Sequence, residues 1–146
     1  MKWATIMARV AFGVMWVWAG VPKLIDPRGF LVDVRGYDLL VDPWAVVVAL
    51  GLPWLEVFVG LAVIFGKWLY RGALWISGGM LGVFLVGILS AWIRGLDIEC
   101  GCFGSGGEKG QYLWWTVRDL LLLAWWGVLM RWGASERKTR RNSTTI

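Results

Sequence analysis

The chain has 146 residues, 58% hydrophobic and only 17% charged, with a net charge of +5, thirteen tryptophans and no histidine. An ordinary soluble domain carries roughly 25% charged residues, so this composition does not provide the polar exterior such a domain needs. Without histidine, classical zinc sites, imidazole-ligated haem and histidine acid–base catalysis are excluded, and neither zinc nor haem is expected as a cofactor.

The first apolar run, "WATIMARVAFGVMWVWAGVPKL", covers about residues 3–24. Arg9 interrupts it and no convincing A-x-A cleavage site follows, so it reads as a retained helix rather than a signal peptide. A polar loop with four aspartates follows, "IDPRGFLVDVRGYDLLVDP". The second run, residues 44–66, holds Glu56 near its middle, three residues after Pro53. Only "KWLYR" separates it from the third run, residues 72–93, so these two helices form an antiparallel hairpin. The fourth run covers residues 113–132. Each is long enough to cross a bilayer, which takes about 20 residues. The fold class is all-α: an integral membrane four-helix bundle in one domain over residues 1–133. A basic, disordered tail is expected over 134–146.

Five of the fifteen basic residues lie in "RWGASERKTRR", beginning at Arg131. A basic segment directly after an apolar run sets membrane orientation rather than forming a nucleic-acid patch. Lys2, Lys67, Arg71 and the basic tail crowd one side in short segments, which places both termini in the cytoplasm. Tryptophans at both boundaries agree with an aromatic belt. Tryptophans 16, 18, 54 and 75 lie deeper and read as packing. On the third run, Gly78 and Gly82 allow close helix contact.

This orientation puts the segment "IRGLDIECGCFGSGGEKGQYLWW" on the outer side, in an oxidising compartment. It holds the chain's two cysteines, Cys100 and Cys102. Thiols one residue apart close into a disulfide only through a sharp turn, because Cα atoms two apart in an extended chain are near ~7 Å and a relaxed disulfide prefers about 5.5–6 Å. Gly101 permits that turn. Such a ring is strained, and strained, exposed disulfides are oxidising and labile. It also encloses almost no loop, so it stabilises a fold little. Three chemistries fit the pair: thiol–disulfide exchange with a protein partner, binding of Cu(I) or Hg(II) by two thiolates, or redox sensing. A metal carrier needs a relay of ligands, for which only scattered methionines remain, so exchange fits better.

With these residues in view, the chain resembles the MauE branch of the MauE/DoxX family, small four-helix redox-associated membrane proteins. The matching pieces are "AGVPKLIDPRGF", "LPWLEVFVGLAVIFG", "RGLDIECGCFG" and "VRDLLLL", which touch every apolar run; "CGCFG" is the most specific. The resemblance implies a role in disulfide formation or electron transfer for exported proteins, with a thioredoxin-like periplasmic partner and a link to methylamine dehydrogenase maturation. The architecture is also similar to the quinone-coupled bundles of DsbB and vitamin K epoxide reductase. Those carry a further cysteine pair that this chain lacks.

Charges inside the runs are candidates for partners of this chemistry. An ionisable group there costs about 2.5–3.5 kcal/mol on insertion scales and faces the bundle interior with a partner. Counting residues along the helices pairs Arg9 with Glu56; alternatively Glu56 exchanges a proton with a bound quinone. Lys23 either snorkels or meets the cysteine loop. Arg118 and Asp119, one turn into the fourth run, lie under that loop, where either Arg118 stabilises a thiolate or quinone oxyanion or Asp119 simply neutralises Arg118.

The sequence therefore leads to a multi-pass protein of a bacterial inner membrane. Its expected function is thiol–disulfide oxidoreduction toward a periplasmic thioredoxin-like or disulfide-containing protein. Cys100 and Cys102 are the reactive pair, Gly101 and Gly104 shape the loop, and Phe103 anchors it to the lipid surface. A quinone is the electron acceptor that the resemblance implies. The alternatives are a soft-metal binding or uptake protein, with Cys100 and Cys102 as ligands, and a non-catalytic assembly factor for a periplasmic enzyme such as methylamine dehydrogenase.

Overall fold

A computed structural model of the chain describes residues 2–66, 68–96 and 112–143, with side chains for 3–66, 68–96 and 112–132. The described residues form five helices: α1 (Lys2–Ile25), α2 (Pro27–Gly36), α3 (Trp44–Phe65), α4 (Tyr70–Arg94) and α5 (Tyr112–Ser143). Four of them are long and apolar enough to cross a membrane: Trp3–Ile25, Trp44–Phe65, Tyr70–Arg94 and Tyr112–Trp132. The protein is an all-helical, multi-pass membrane bundle.

The polar stretch after α1, expected as a loop, contains α2. Asp26 caps it, its carboxylate accepting the Gly29 N–H at 3.0 Å, and Pro27 occupies the first turn. Both residues suit a helix start, since proline gives up only an N–H that would have no helical partner there. Ten residues with two glycines and three charges carry too short an apolar pattern to stand out. Helix α5 continues to Ser143, through the segment expected as a disordered tail. After Gly133 that segment is rich in Ala, Glu, Lys and Arg, all good helix formers, and has no further glycine or proline.

Helices α1 and α3 form the tightest pair, and glycines explain it. A methyl group on Gly13 would stand 2.7 Å from the Gly60 carbonyl oxygen, and one on Gly60 would stand 2.6 Å from that of Gly13. Further along, a methyl on Gly20 would meet the Pro53 oxygen at 2.9 Å. The two backbones therefore touch in an antiparallel register. On α4 the expectation is half met. The Trp126 indole lies against Gly78, whereas a methyl group on Gly82 would meet nothing within 4 Å.

The core between the helices is built from Phe12, Trp16, Val63, Leu74, Leu81 and Leu129. Two polar side chains at its α4–α5 seam are satisfied internally: Trp126 Nε1–H and the Ser77 hydroxyl both donate to the Leu74 carbonyl, at 2.6 and 2.8 Å. Of the deeper tryptophans, Trp16 is buried, but Trp18, Trp54 and Trp75 are more than half exposed. These three face outward rather than filling the bundle. The apolar surroundings of a bilayer remove the reason to bury them.

Candidate functional site: a buried charge layer at one end of the bundle

Cys100 and Cys102, with Gly101, Phe103 and Gly104, lie outside the described residues. The residues on either side of their segment are described, and they meet. Gly95 ends α4 in a left-handed conformation at φ +64°, its N–H bonded back to the Ala91 and Trp92 carbonyls. Trp92 on the last turn of α4 stacks on Tyr112, the first residue of α5, with ring centroids 6.4 Å apart and planes within 4°. Arg94 reaches sideways to Asp38, at 2.8 Å, and to the Tyr37 carbonyl, tying this end of α4 to the connection after α2.

Beneath this end the bundle buries a layer of charges. Lys23 on α1 and Glu56 on α3 are both fully buried, and Lys23 Nζ donates to Glu56 Oε1 at 2.5 Å. The ammonium also lies 5.1 Å from the Phe30 ring of α2 and 5.5 Å from the Phe84 ring of α4. On α5, Arg118 donates through Nε and Nη2 to Oδ1 of its neighbour Asp119, at 3.1 and 2.9 Å. Asp119 is buried. The charges of Arg118 and Asp33 both bear on Lys23, so the two ion pairs lie toward the same end of the bundle.

Tyr37 extends that layer. Its ring packs against Gly87 of α4. Burial, and then the charges of Asp119 and Asp33, push its hydroxyl well above the ordinary tyrosine range, so it remains a neutral hydrogen-bond donor.

The expected Arg9–Glu56 pair is not formed. Arg9 instead donates to the carbonyls at the end of α3: Val63, Ile64 at 3.2 Å and Gly66 at 3.1 Å. Its guanidinium lies 4.2 Å from the centre of the Tyr70 ring. The reason is directional. Each Cα–Cβ bond leans toward the N-terminus of its own helix. In the antiparallel α1–α3 pair, Lys23 and Glu56 therefore lean toward one another, while Arg9 leans away to the opposite end. There it caps the Val63 and Ile64 carbonyls of the last turn of α3, a need that is acute in lipid, and shares the Gly66 carbonyl with the Tyr70 N–H.

Of the charges singled out from sequence, Lys23, Glu56, Arg118 and Asp119 thus share one region, and Arg9 serves another. Asp33 and Tyr37 were missed because α2 was missed. With Phe30 they recur at the three- and seven-residue spacing of one helical face. Buried, this layer can hold and transfer protons and can stabilise an anion.

The model of the family described as methylamine utilisation protein MauE matches residues 1–133. Methylamine utilization protein MauE of Paracoccus denitrificans is 29% identical over 117 residues, covering 80% of this chain and 62% of that protein. The chain therefore spans less than two thirds of that relative's length. No solved structure matches it. By its match over nearly the whole chain, this protein belongs to the MauE family.

Proposed function

We propose that the protein is a thiol–disulfide oxidoreductase that exchanges electrons with an exported, disulfide-containing or thioredoxin-like partner through Cys100 and Cys102. The observation that carries this reading is the joint occurrence of a Cys-Gly-Cys pair and a buried layer of ion pairs at the end of the bundle from which its segment departs. The family's name supports a client within methylamine utilisation. The cysteines then face the periplasm, with both termini in the cytoplasm of a bacterial cell.

In the exchange, a partner thiolate attacks one sulfur of the Cys100–Cys102 disulfide. The S–S bond breaks as a mixed disulfide forms, and the partner's second thiolate then displaces the cysteine. The partner leaves oxidised, and Cys100 and Cys102 are left as two thiols holding two electrons. A membrane quinone is the acceptor of those electrons, taking two protons with them. The buried layer suits that demand, because Lys23 and Arg118 supply positive charge and Glu56 and Asp119 supply proton-carrying groups.

The test is a redox titration of the purified protein with thiols counted by mass-tag labelling. A two-electron midpoint above roughly −200 mV marks an oxidising, catalytic disulfide. Addition of ubiquinone should then reoxidise the reduced form. Thiols that stay reduced throughout, but disappear from labelling with Cu(I), would replace this reading with soft-metal binding.

A further inference from the structure

Several buried polar atoms have no hydrogen-bond partner among the described residues, and they are not scattered. Tyr112 Oη, Thr116 Oγ1 and Asp119 Oδ2 lie on α5 at successive spacings of four and three residues. They line one face of that helix over about 10 Å, at 1.5 Å per residue. Two more, Glu56 Oε2 and Trp16 Nε1, lie deeper. Trp16 and the Lys23 ammonium that holds Glu56 both border Phe84, with the Trp16 ring 6.4 Å from it. The charge of Arg118, the partner of Asp119, bears on Lys23, so both sets lie toward the same end of the bundle.

A buried polar atom without a partner forfeits the hydrogen bond it made to water in the unfolded chain, and native proteins meet such groups with ordered water. Here the orphan atoms differ in kind. Carboxylate oxygens accept, an indole N–H donates and hydroxyls do both, which is the lining a file of water molecules requires.

The sequence of polar atoms stops at Glu56, about 18 Å along α3 from Trp44. Beyond it the bundle is closed by Phe12, Val59, Val63, Leu74 and Leu129, all at most 1% exposed. Two polar side chains at that level, Ser77 and Trp126, are already bonded to the Leu74 carbonyl. Arg9, near the opposite end, is satisfied by backbone oxygens. Nothing described there calls for water.

We propose that water enters the bundle from the cysteine-side end past Tyr112, Thr116 and Asp119 and stops at Glu56, forming a dead-ended file that exchanges protons with that side alone. Glu56 is faced by Lys23 on α1, and Lys23 in turn by the charges of Arg118 on α5 and Asp33 on α2; Tyr37, in the connection, faces Asp119, Asp33 and Arg118. The file stands on the buried atoms themselves. Its use, supplying or draining the protons of disulfide chemistry, rests on the function proposed above.

Radiolytic water labelling tests it on the full-length protein in lipid nanodiscs, because hydroxyl radicals made from bound water oxidise the side chains beside it. Trp16 and Trp126 offer the same chemistry. Trp126 is the more exposed of the two, but its N–H is satisfied. Trp16 is expected to oxidise several-fold faster than Trp126, and near-isosteric Thr116→Val to lower the Trp16 yield several-fold while thermal unfolding stays close to that of the parent. Equal rates at the two tryptophans overturn the proposal. So does a Trp16 yield that Thr116→Val leaves unchanged. Neither result bears on the thiol midpoint, which tests the redox reading separately.

Discussion

Lys23 Nζ and Glu56 Oε1 sit 2.5 Å apart with both side chains fully shielded, one on α1 and the other on α3. Removing one partner of a buried pair leaves an uncompensated charge and costs about 3–5 kcal/mol, whereas replacing both with apolar residues of similar volume is often neutral. Lys23→Met and Glu56→Leu should therefore each lower the unfolding temperature strongly, and the double variant should recover most of the loss. A double variant as unstable as the sum of the single ones would show that the pair matters through something other than charge compensation.

Arg9 makes a different kind of contact, a fork of donors on the end of α3. Arg9→Lys keeps the charge but not the planar fork or its stacking on Tyr70. It should lose about 1.5–3 kcal/mol, the range for hydrogen bonds to charged groups. Chemical denaturation in detergent would read this, and a variant as stable as the parent would mean that water or lipid headgroups cap α3 equally well.

Close backbone approach predicts a contrast between glycines. Gly13→Ala and Gly60→Ala each place a methyl group against a backbone oxygen that cannot swing aside. They should destabilise by about 1–3 kcal/mol, as overpacking does. Gly82→Ala and Gly51→Ala meet nothing within 4 Å and should be neutral or slightly stabilising, since alanine is the better helix former. Thermal unfolding of the four variants side by side checks the register of α1 on α3 directly.

Tyr37 predicts an alkaline limit. Its hydroxyl is pushed above the ordinary range, chiefly by burial and then by Asp119 and Asp33. The folded state thus holds this proton more tightly than the unfolded chain, whose tyrosines titrate near about pH 10. The stability linked to Tyr37 is fully present below that pH and is lost as pH rises above it toward the folded value. Tyr37→Phe should flatten the alkaline fall in stability. An unchanged pH profile would place the loss on other groups.

The four spanning helices could be read from sequence because each is a long apolar run, and in lipid only a helix satisfies such a backbone. Contact between helices was less legible. Residue counting put Arg9 near Glu56 because it measured depth without the lean of the side chains, which points Lys23 and Arg9 in the same direction along α1. Helix α2 escaped because Asp26-Pro27 is a local signal inside a segment whose overall composition is that of a loop. With it went Asp33 and Tyr37, whose charge and hydroxyl lie beside Lys23 and Asp119 respectively. Deep tryptophans misled for a related reason: burial is the default for an aromatic ring in water, but lipid accepts Trp18, Trp54 and Trp75 on the outside.

The cysteines themselves give the most direct functional test. In exchange chemistry one thiol attacks or is attacked and the other resolves the mixed disulfide, so the two positions are not equivalent. Replacing the resolving cysteine should trap the protein covalently on its partner. Replacing the attacking cysteine should abolish the adduct. Cys100→Ser and Cys102→Ser, each expressed in a host that oxidises methylamine, should therefore differ: one accumulates a reducible higher-mass species and the other does not, and both lose function. The trapped partner, identified by mass spectrometry, would name the client. If neither variant forms an adduct and the double serine variant still supports growth on methylamine, electron exchange is not the role of the pair. The bundle would then act as a non-catalytic assembly factor, and the buried charge layer would have to be explained by what it binds.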